Sequence, residues 1–484
     1  MGWNIEDNEG IFREKESFER RDRAVRELLR VDRSFDLIRR PVRIGGKKAC
    51  WYTVDGLLNG ELMEKVMDFY LGITPEDMPG DMQGFMEAQM PYVDAAVAED
   101  VNALIQAFFS GNSCLLIDGY AQILTMDLRD YPARSIQEPI KDKVLQGSRD
   151  GLTETIMANI ALIRRRIRDP ELTFELANVG MSSRTDVAVV YMQGRTPDKV
   201  LRQVRRRLRD IRVDALSLNQ QSLAEALMPR AWWNPMPKFK YTERPDTTAA
   251  CLLEGSVVIL VDNSPNAMII PSSLFDIIED PNDYYLPPVT GTYLRLSRMF
   301  INICSIFLIP LFLLFLQHPQ WVPQWLEFIM IEDEVNVPPL LQLLILEIAI
   351  DGLKMASVNT PSMLSTPLSV VAGIVFGDYT VKSGWFNSEI MLYMAVVAVA
   401  NYTQSNMELG YAIKFLRIQL LLWTAVLGLP GFVIGCLFAG VSVVGNPTFT
   451  GRNYLYPLIP FNGRQLLKRF FRVSLMTNEK WSER

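Results

Sequence analysis

The chain has 484 residues and a net charge of −6, enough length for two or three domains and no overall basic footprint for nucleic acid. About half of it is hydrophobic (49%), but unevenly: residues 1–290 are charged and often broken, whereas long apolar runs follow Met299. An α/β soluble head ahead of an α-helical transmembrane bundle is the expected fold class, and it excludes most soluble-enzyme readings.

Residues 1–34 form a charged N-terminal segment, with a helix expected over Glu14–Leu29. The stretch through Glu27 is rich in Glu, Asp and Arg, unlike a signal peptide, so the head is expected on the cytoplasmic side. A first α/β subdomain is expected over 35–145. Cys50–Gly56 reads as a strand entering an Asp-Gly turn. Leu62–Tyr70 reads as an amphipathic helix, 75–92 as a loop rich in Pro, Gly and Met, and Val93–Phe109 as a helix.

An internal repeat follows. Ser110–Asp118 resembles Glu254–Asp262: in both, a Gly precedes an Asp by seven residues with an apolar strand between. A second apolar run follows each Asp, at Ala121–Met126 and Ala267–Ile270. The unit is Gly, strand, turn, strand, and its recurrence predicts two related subdomains.

The second subdomain is expected over 146–290. It holds an amphipathic helix over Gly151–Arg168, a buried strand over Thr185–Met192, a helix over Pro197–Ile211 and a further strand over Asp214–Leu218. The basic clusters Arg164–Arg168 and Arg205–Arg209 read as solvated helix faces rather than binding patches. Residues 229–245, with Trp232 and Trp233, read as irregular, and Pro281–Pro288 as the junction to the membrane part. The five cysteines form no metal or redox motif, so reduced thiols in a reducing compartment are expected.

Over 291–463 four or five hydrophobic segments are expected. Met299–Leu316 is a span preceded by Arg295 and Arg298 and followed by Trp321 and Trp325 as interface anchors. The acidic loop Glu332–Glu334 lies beyond it, and the positive-inside rule puts Arg295 on the cytoplasmic side. Pro338–Ser357 and Pro361–Phe376 are short and interrupted, either broken helices or a re-entrant hairpin. Asn387–Thr403 reads as a span, and Arg417–Val444 as one helix kinked at Pro430 or a tight hairpin. Residues 464–484 form a basic tail.

The catalytic inventory is nearly empty. His318 is the sole histidine and belongs to no multi-histidine metal site. Gly45–Lys48 lacks the spacing that cradles a phosphate, and no nucleophile elbow or Cys-x2-Cys pair occurs. No catalytic, metal or cofactor site is expected. The functional constellation lies in the apolar run Leu340–Met355, where Glu347, Asp351 and Lys354 fall at i, i+4 and i+7 on one helix face. One reading is a structural Asp351–Lys354 pair with Glu347 near the interface. The other is a stripe at a pore or subunit interface, where Glu347 and Asp351 of several subunits form acidic rings that favour cations. Asn401, Thr403, Gln404 and Asn406 make a second polar cluster, either part of such a path or a loop.

Several long segments are also recognisable. Arg149–Pro170, Ser183–Ala188, Tyr241–Asp246, Leu253–Gly255, Val261–Pro265, Glu408–Gly410 and Pro457–Phe461 resemble the signature blocks of the A-type subunits of the GerA family of spore germination proteins. The resemblance runs from about residue 35 nearly to the end. Ser34–Ile38, Pro237–Lys240 and Thr290–Arg298 look more like a sporulation-stage paralogue than like the receptor subunits themselves. The resemblance implies an integral protein of the inner spore membrane, contacting lipid, other membrane germination subunits and copies of itself, with no nucleic-acid partner. It implies an oligomeric ion channel used on exit from dormancy, with a non-conducting scaffold as the alternative. The family commonly carries an acid near Glu347. Asp351 stands where many members have Glu, and Ala356–Thr360 replaces a loop that is usually basic.

Overall fold

One α/β pattern is used twice in the first half of the chain. The computed structural model describes residues 11–12, 16–90, 94–131, 147–228, 234–360, 370, 373, 379–404 and 406–472. Trp232, Trp233, most of Pro361–Phe376 and the tail past Arg472 lie outside the described residues. The chain divides into two compact units: residues 1–229 with 239–271, and residues 230–238 with 272–484.

The first unit opens with α1 (Phe18–Leu29), β1 (Leu37–Ile44), β2 (Lys47–Val54), α2 (Gly60–Leu71) and α3 (Met82–Ala88). It continues with β3 (Ala95–Ala98), α4 (Val101–Phe109), β4 (Ser113–Ile117) and β5 (Ile123–Met126). The same order returns as α5 (Ile156–Arg166), β6 (Leu172–Val179), β7 (Thr185–Met192), α6 (Asp198–Asp210) and α7 (Gln220–Leu227). β8 (Lys240–Thr242), α8 (Pro245–Leu253), β9 (Val257–Val261) and β10 (Ala267–Ile270) close it. The two five-stranded antiparallel sheets have orders β1-β2-β4-β5-β3 and β6-β7-β9-β10-β8, which are the same topology.

The repeated glycines explain why the pattern was visible. Gly111 and Gly255 follow α4 and α8 with φ of 95° and 91°, a left-handed turn that glycine enters without a Cβ penalty. At Gly255 a Cβ would lie 2.7 Å from the Arg195 carbonyl oxygen. The paired aspartates are equivalent as well: the Asp118 amide donates to Lys48 O and the Asp262 amide to Asp186 O. β4 and β9 are buried along their whole length, as central strands covered on both faces should be.

Three expectations are corrected. Val93–Phe109 is not one helix: β3 precedes α4, with Asp100 capping the helix through its bond to the Ala103 amide. Residues 75–92 contain α3, capped by Asp81, rather than only loop. Asp214–Leu218 is not a strand; its carbonyl at Asp214 accepts from the β6–β7 loop instead.

The Arg164–Arg168 row is also not uniformly solvated. Arg164 is fully buried and pairs with Asp36 at 2.9 Å. Its guanidinium lies 5.5 Å from the Phe109 ring and 4.9 Å from the Phe174 ring. Phe109 belongs to the first repeat and Phe174 to the second, so this one side chain joins the two. Arg205 of the second row pairs with Glu175 while staying partly exposed.

The second unit contains α9 (Leu274–Ile278), α10 (Asn282–Tyr285), α11 (Pro288–Gln317) and α12 (Pro339–Asn359). α13 (Ser388–Tyr402), α14 (Met407–Leu427), α15 (Leu429–Val444) and α16 (Gly463–Phe470) follow. α11 and α14 are long and apolar enough to cross a bilayer, and α13 and α15 are shorter apolar helices. α11 starts well before Met299 because Pro288 occupies its first turn, where a missing N–H costs nothing. α12 is one continuous helix through Gly352, not a broken one. Arg417–Val444 resolves as a tight hairpin: the turn is at Gly428 (φ 62°), and Pro430 sits in the first turn of α15.

Candidate functional site: a balanced charge cluster in the helical unit

α12 and α14 are both apolar helices interrupted by charge, and their charges meet. Glu347 is 4% exposed and accepts from Arg417 Nε at 2.7 Å. Lys414 Nζ lies 3.3 Å from the other Glu347 carboxylate oxygen. The same ammonium donates to the Glu347 main-chain carbonyl at 3.0 Å and pairs with Asp351. Arg417 also donates to the hydroxyl (3.0 Å) and carbonyl (3.2 Å) oxygens of Ser305 on α11. Two acids therefore face two bases, with the remaining donors satisfied by α11. A buried pair with good geometry and no orphaned donor is the form in which ionic groups survive away from water.

The spacing on each helix makes the match. Glu347 and Asp351 are one turn apart, and Lys414 and Arg417 are three residues apart, so each pair occupies one face. Sequence reasoning found the acids but missed the bases. The available signal was that Lys414 and Arg417 are the only Lys or Arg residues within Met407–Leu427.

The expected Asp351–Lys354 pair is corrected. Asp351 turns to Lys414, while Lys354 lies over the rings of Tyr411 (4.8 Å) and Tyr402 (5.8 Å). Aromatic faces hold a cation without a counter-ion. Asp351 and Lys354 are half-buried, beside an exposed stripe of Leu341, Ile348, Gly352 and Met355.

Asn401 and Gln404 sit at the α13–α14 connection rather than with the acids. Gln404 donates to the Asn302 side chain on α11. The Asn401 side-chain oxygen Oδ1 packs against Gly410, where a Cβ would approach to 2.7 Å. Asn406 caps α14 by accepting from the Leu409 amide at 3.0 Å. His318 closes α11 and stacks on Trp321 with ring centres 4.3 Å apart. Among the described residues no group of His, Cys, Asp and Glu is arranged to hold a metal ion.

A duplicated α/β head followed by a helical unit, with two helices long and apolar enough to cross a bilayer and an internally balanced charge cluster, defines the class. The chain belongs to the GerA family: the family described as Bacillus/Clostridium GerA spore germination protein matches residues 24–483. It is 31% identical to stage V sporulation protein AF of Bacillus subtilis (strain 168) over 91% of this chain and 89% of that one. It is 28% identical to spore germination protein KA of the same organism, over 94% and 84%. The N-terminal domain of the A subunit of the Bacillus megaterium spore germinant receptor GerK3, known from a crystal structure, is 25% identical with a TM-score of 0.40, covering 52% of this chain and 94% of that one.

Proposed function

We propose that the chain is a membrane-embedded subunit of a spore germination complex, and that copies of it surround an ion path used on exit from dormancy. The observation that carries this reading is the half-exposed position of Asp351 and Lys354 on α12. Charged groups facing lipid cost several kcal/mol, so this flank needs water or another subunit over it. The polar flank lies next to the apolar Ile348–Met355 stripe, as expected where one subunit meets the next beside a water-filled axis. We place the helical unit in the inner spore membrane with the head on the cytoplasmic side.

Glu347 favours the second reading, a non-conducting scaffold. Its carboxylate is already neutralised by Arg417 and Lys414 of its own chain, so a ring of Glu347 side chains is not what would select cations. This moves the channel reading onto Asp351, which also pairs with Lys414 but, unlike Glu347, stays partly exposed. Gly352 offers a direct test of the packing, because a Cβ there meets nothing within 4 Å. A Gly352→Cys variant in membranes, oxidised beside the parent chain, should give disulfide-linked dimers that the parent does not form. Monomer alone would remove the subunit interface, and with it the shared path.

A further inference from the structure

α16 presents two different faces. The docked face carries Arg469, which pairs with Asp276 at 2.5 Å and Glu279 at 3.1 Å, and Phe470, whose ring lies 6.0 Å from that of Phe275. Arg295 of α11 donates to the Lys468 and Arg469 carbonyls, both at 3.2 Å. The outer face holds Arg464, Leu467, Lys468 and Phe471, at i, i+3, i+4 and i+7. Leu467 is 50% and Phe471 48% exposed, and Leu458, Ile459 and Phe461 just before the helix extend the apolar surface. Arg464 and Lys468 give this face two positive charges, and from Pro447 to Arg472 the chain has no Asp or Glu, so the face complements a negative one.

Its height along the bundle narrows the partner. The Arg472 amide donates to the Thr292 hydroxyl at 3.0 Å, which with the Arg295 bonds sets α16 level with the first turns of α11. Exposed Val289, Tyr293 and Leu296 share this level with the paired Arg295 and Arg298, and the uncharged run of α11 begins only after Arg298, about 6–10 Å farther along at roughly 1.5 Å per residue. The helix from Phe300 to Gln317 then covers about 26 Å, close to the hydrocarbon thickness of a bilayer. α16 thus falls at the level of the headgroups, where a mixed basic and apolar face is at home. We propose that the outer face of α16 rests in the headgroup layer of a leaflet rich in anionic lipid, and that Arg464 and Lys468 read its charge. This rests on the membrane-embedded reading above.

The test uses the full chain in nanodiscs of equal parts phosphatidylglycerol and phosphatidylcholine. A photoreactive benzophenone residue replaces Leu467, and in a separate control Leu437 of α15, which is 65% exposed and lies away from the α12 stripe assigned to the subunit interface. The Leu467 site should form lipid adducts several-fold in favour of phosphatidylglycerol. Adding Arg464→Gln and Lys468→Gln should abolish that preference while adducts at the Leu437 site stay unchanged. Adducts to a second protein copy, no lipid adduct, or equal labelling of both lipids at the Leu467 site would overturn the proposal. Failure of the Leu437 site to label lipid would instead strike at the membrane-embedded reading itself.

Discussion

Burial of charge decides what single residues do in this chain. Removing one partner of a buried pair leaves an uncompensated ion and typically costs about 3–5 kcal/mol. Arg417→Leu and Glu347→Leu should each therefore lower the amount of folded protein in membranes. The double variant should recover most of it, because Lys414 and Asp351 remain paired. Western blotting of membrane fractions distinguishes this from additive loss. In the head, Asp127 is held below the usual carboxylate range by its bonds from Arg129. Burial alone would raise Glu175, but bonds from Arg205 and Tyr191 hold it low as well. Groups with depressed folded pKa stabilise above their unfolded values, near pH 4, and lose that contribution as pH falls through the folded ones. Thermal stability should accordingly drop below about pH 4. The opposite sign holds for Cys50, whose thiol is pushed up to about 12 by burial and the nearby Asp22 charge. Its contribution is complete below the unfolded value of about 8.5 and is lost as pH rises towards 12. Native protein should leave Cys50 and Cys114 unlabelled by thiol reagents at neutral pH, and prompt labelling would contradict their burial.

At the scale of elements, close approach of backbone matters most in the α14–α15 hairpin. A Cβ at Gly431 would lie 1.9 Å from the Trp423 carbonyl oxygen, and one at Gly435 would lie 2.5 Å from a Leu420 methyl carbon. At Gly440 nothing lies within 4 Å. Gly431→Leu should thus abolish folded protein, whereas Gly440→Leu should accumulate like the parent on size-exclusion in detergent; equal behaviour would contradict the hairpin packing. The same reasoning shows what was legible beforehand. β4 and β9 announced themselves as unbroken apolar runs after a left-handed glycine, and β7 as a run of Val and Ala. The edge strands β1, β3, β6 and β8 did not. β1 carries Arg39, Arg40, Pro41 and Arg43, and β8 spans three residues, so neither shows an alternating or continuous apolar pattern. Arg164 was misjudged because a row of four arginines looks solvated in one dimension, while the fold turns only one of them inward. Likewise Lys414 and Arg417 lie more than sixty residues from their acids, a distance that helix-face arithmetic does not reach.

For the molecule as a whole, the duplicated head and the helical unit are each closed by their own polar networks. Arg295 and Arg298 were expected as topogenic charges, yet both are paired with acids of the segment before α11, Arg295 with Glu279 and Asp283 and Arg298 with Asp280 and Asp283. The same segment receives α16, so the described part of the basic tail returns to the end of the helical unit where α11 begins. The proposed ion path turns on Asp351, an acid that its own chain leaves partly exposed. The central claim is that copies of this chain enclose a cation path with Asp351 on it. The measurement is cation efflux from liposomes holding purified full-length protein, parent beside Asp351→Asn and Asp351→Glu, each normalised to reconstituted protein. Lys414 keeps Glu347 as a partner in both variants. The account predicts efflux from the parent, near-parental efflux with Glu and a several-fold loss with Asn. No efflux from the parent, or equal efflux from parent and Asp351→Asn, would contradict it.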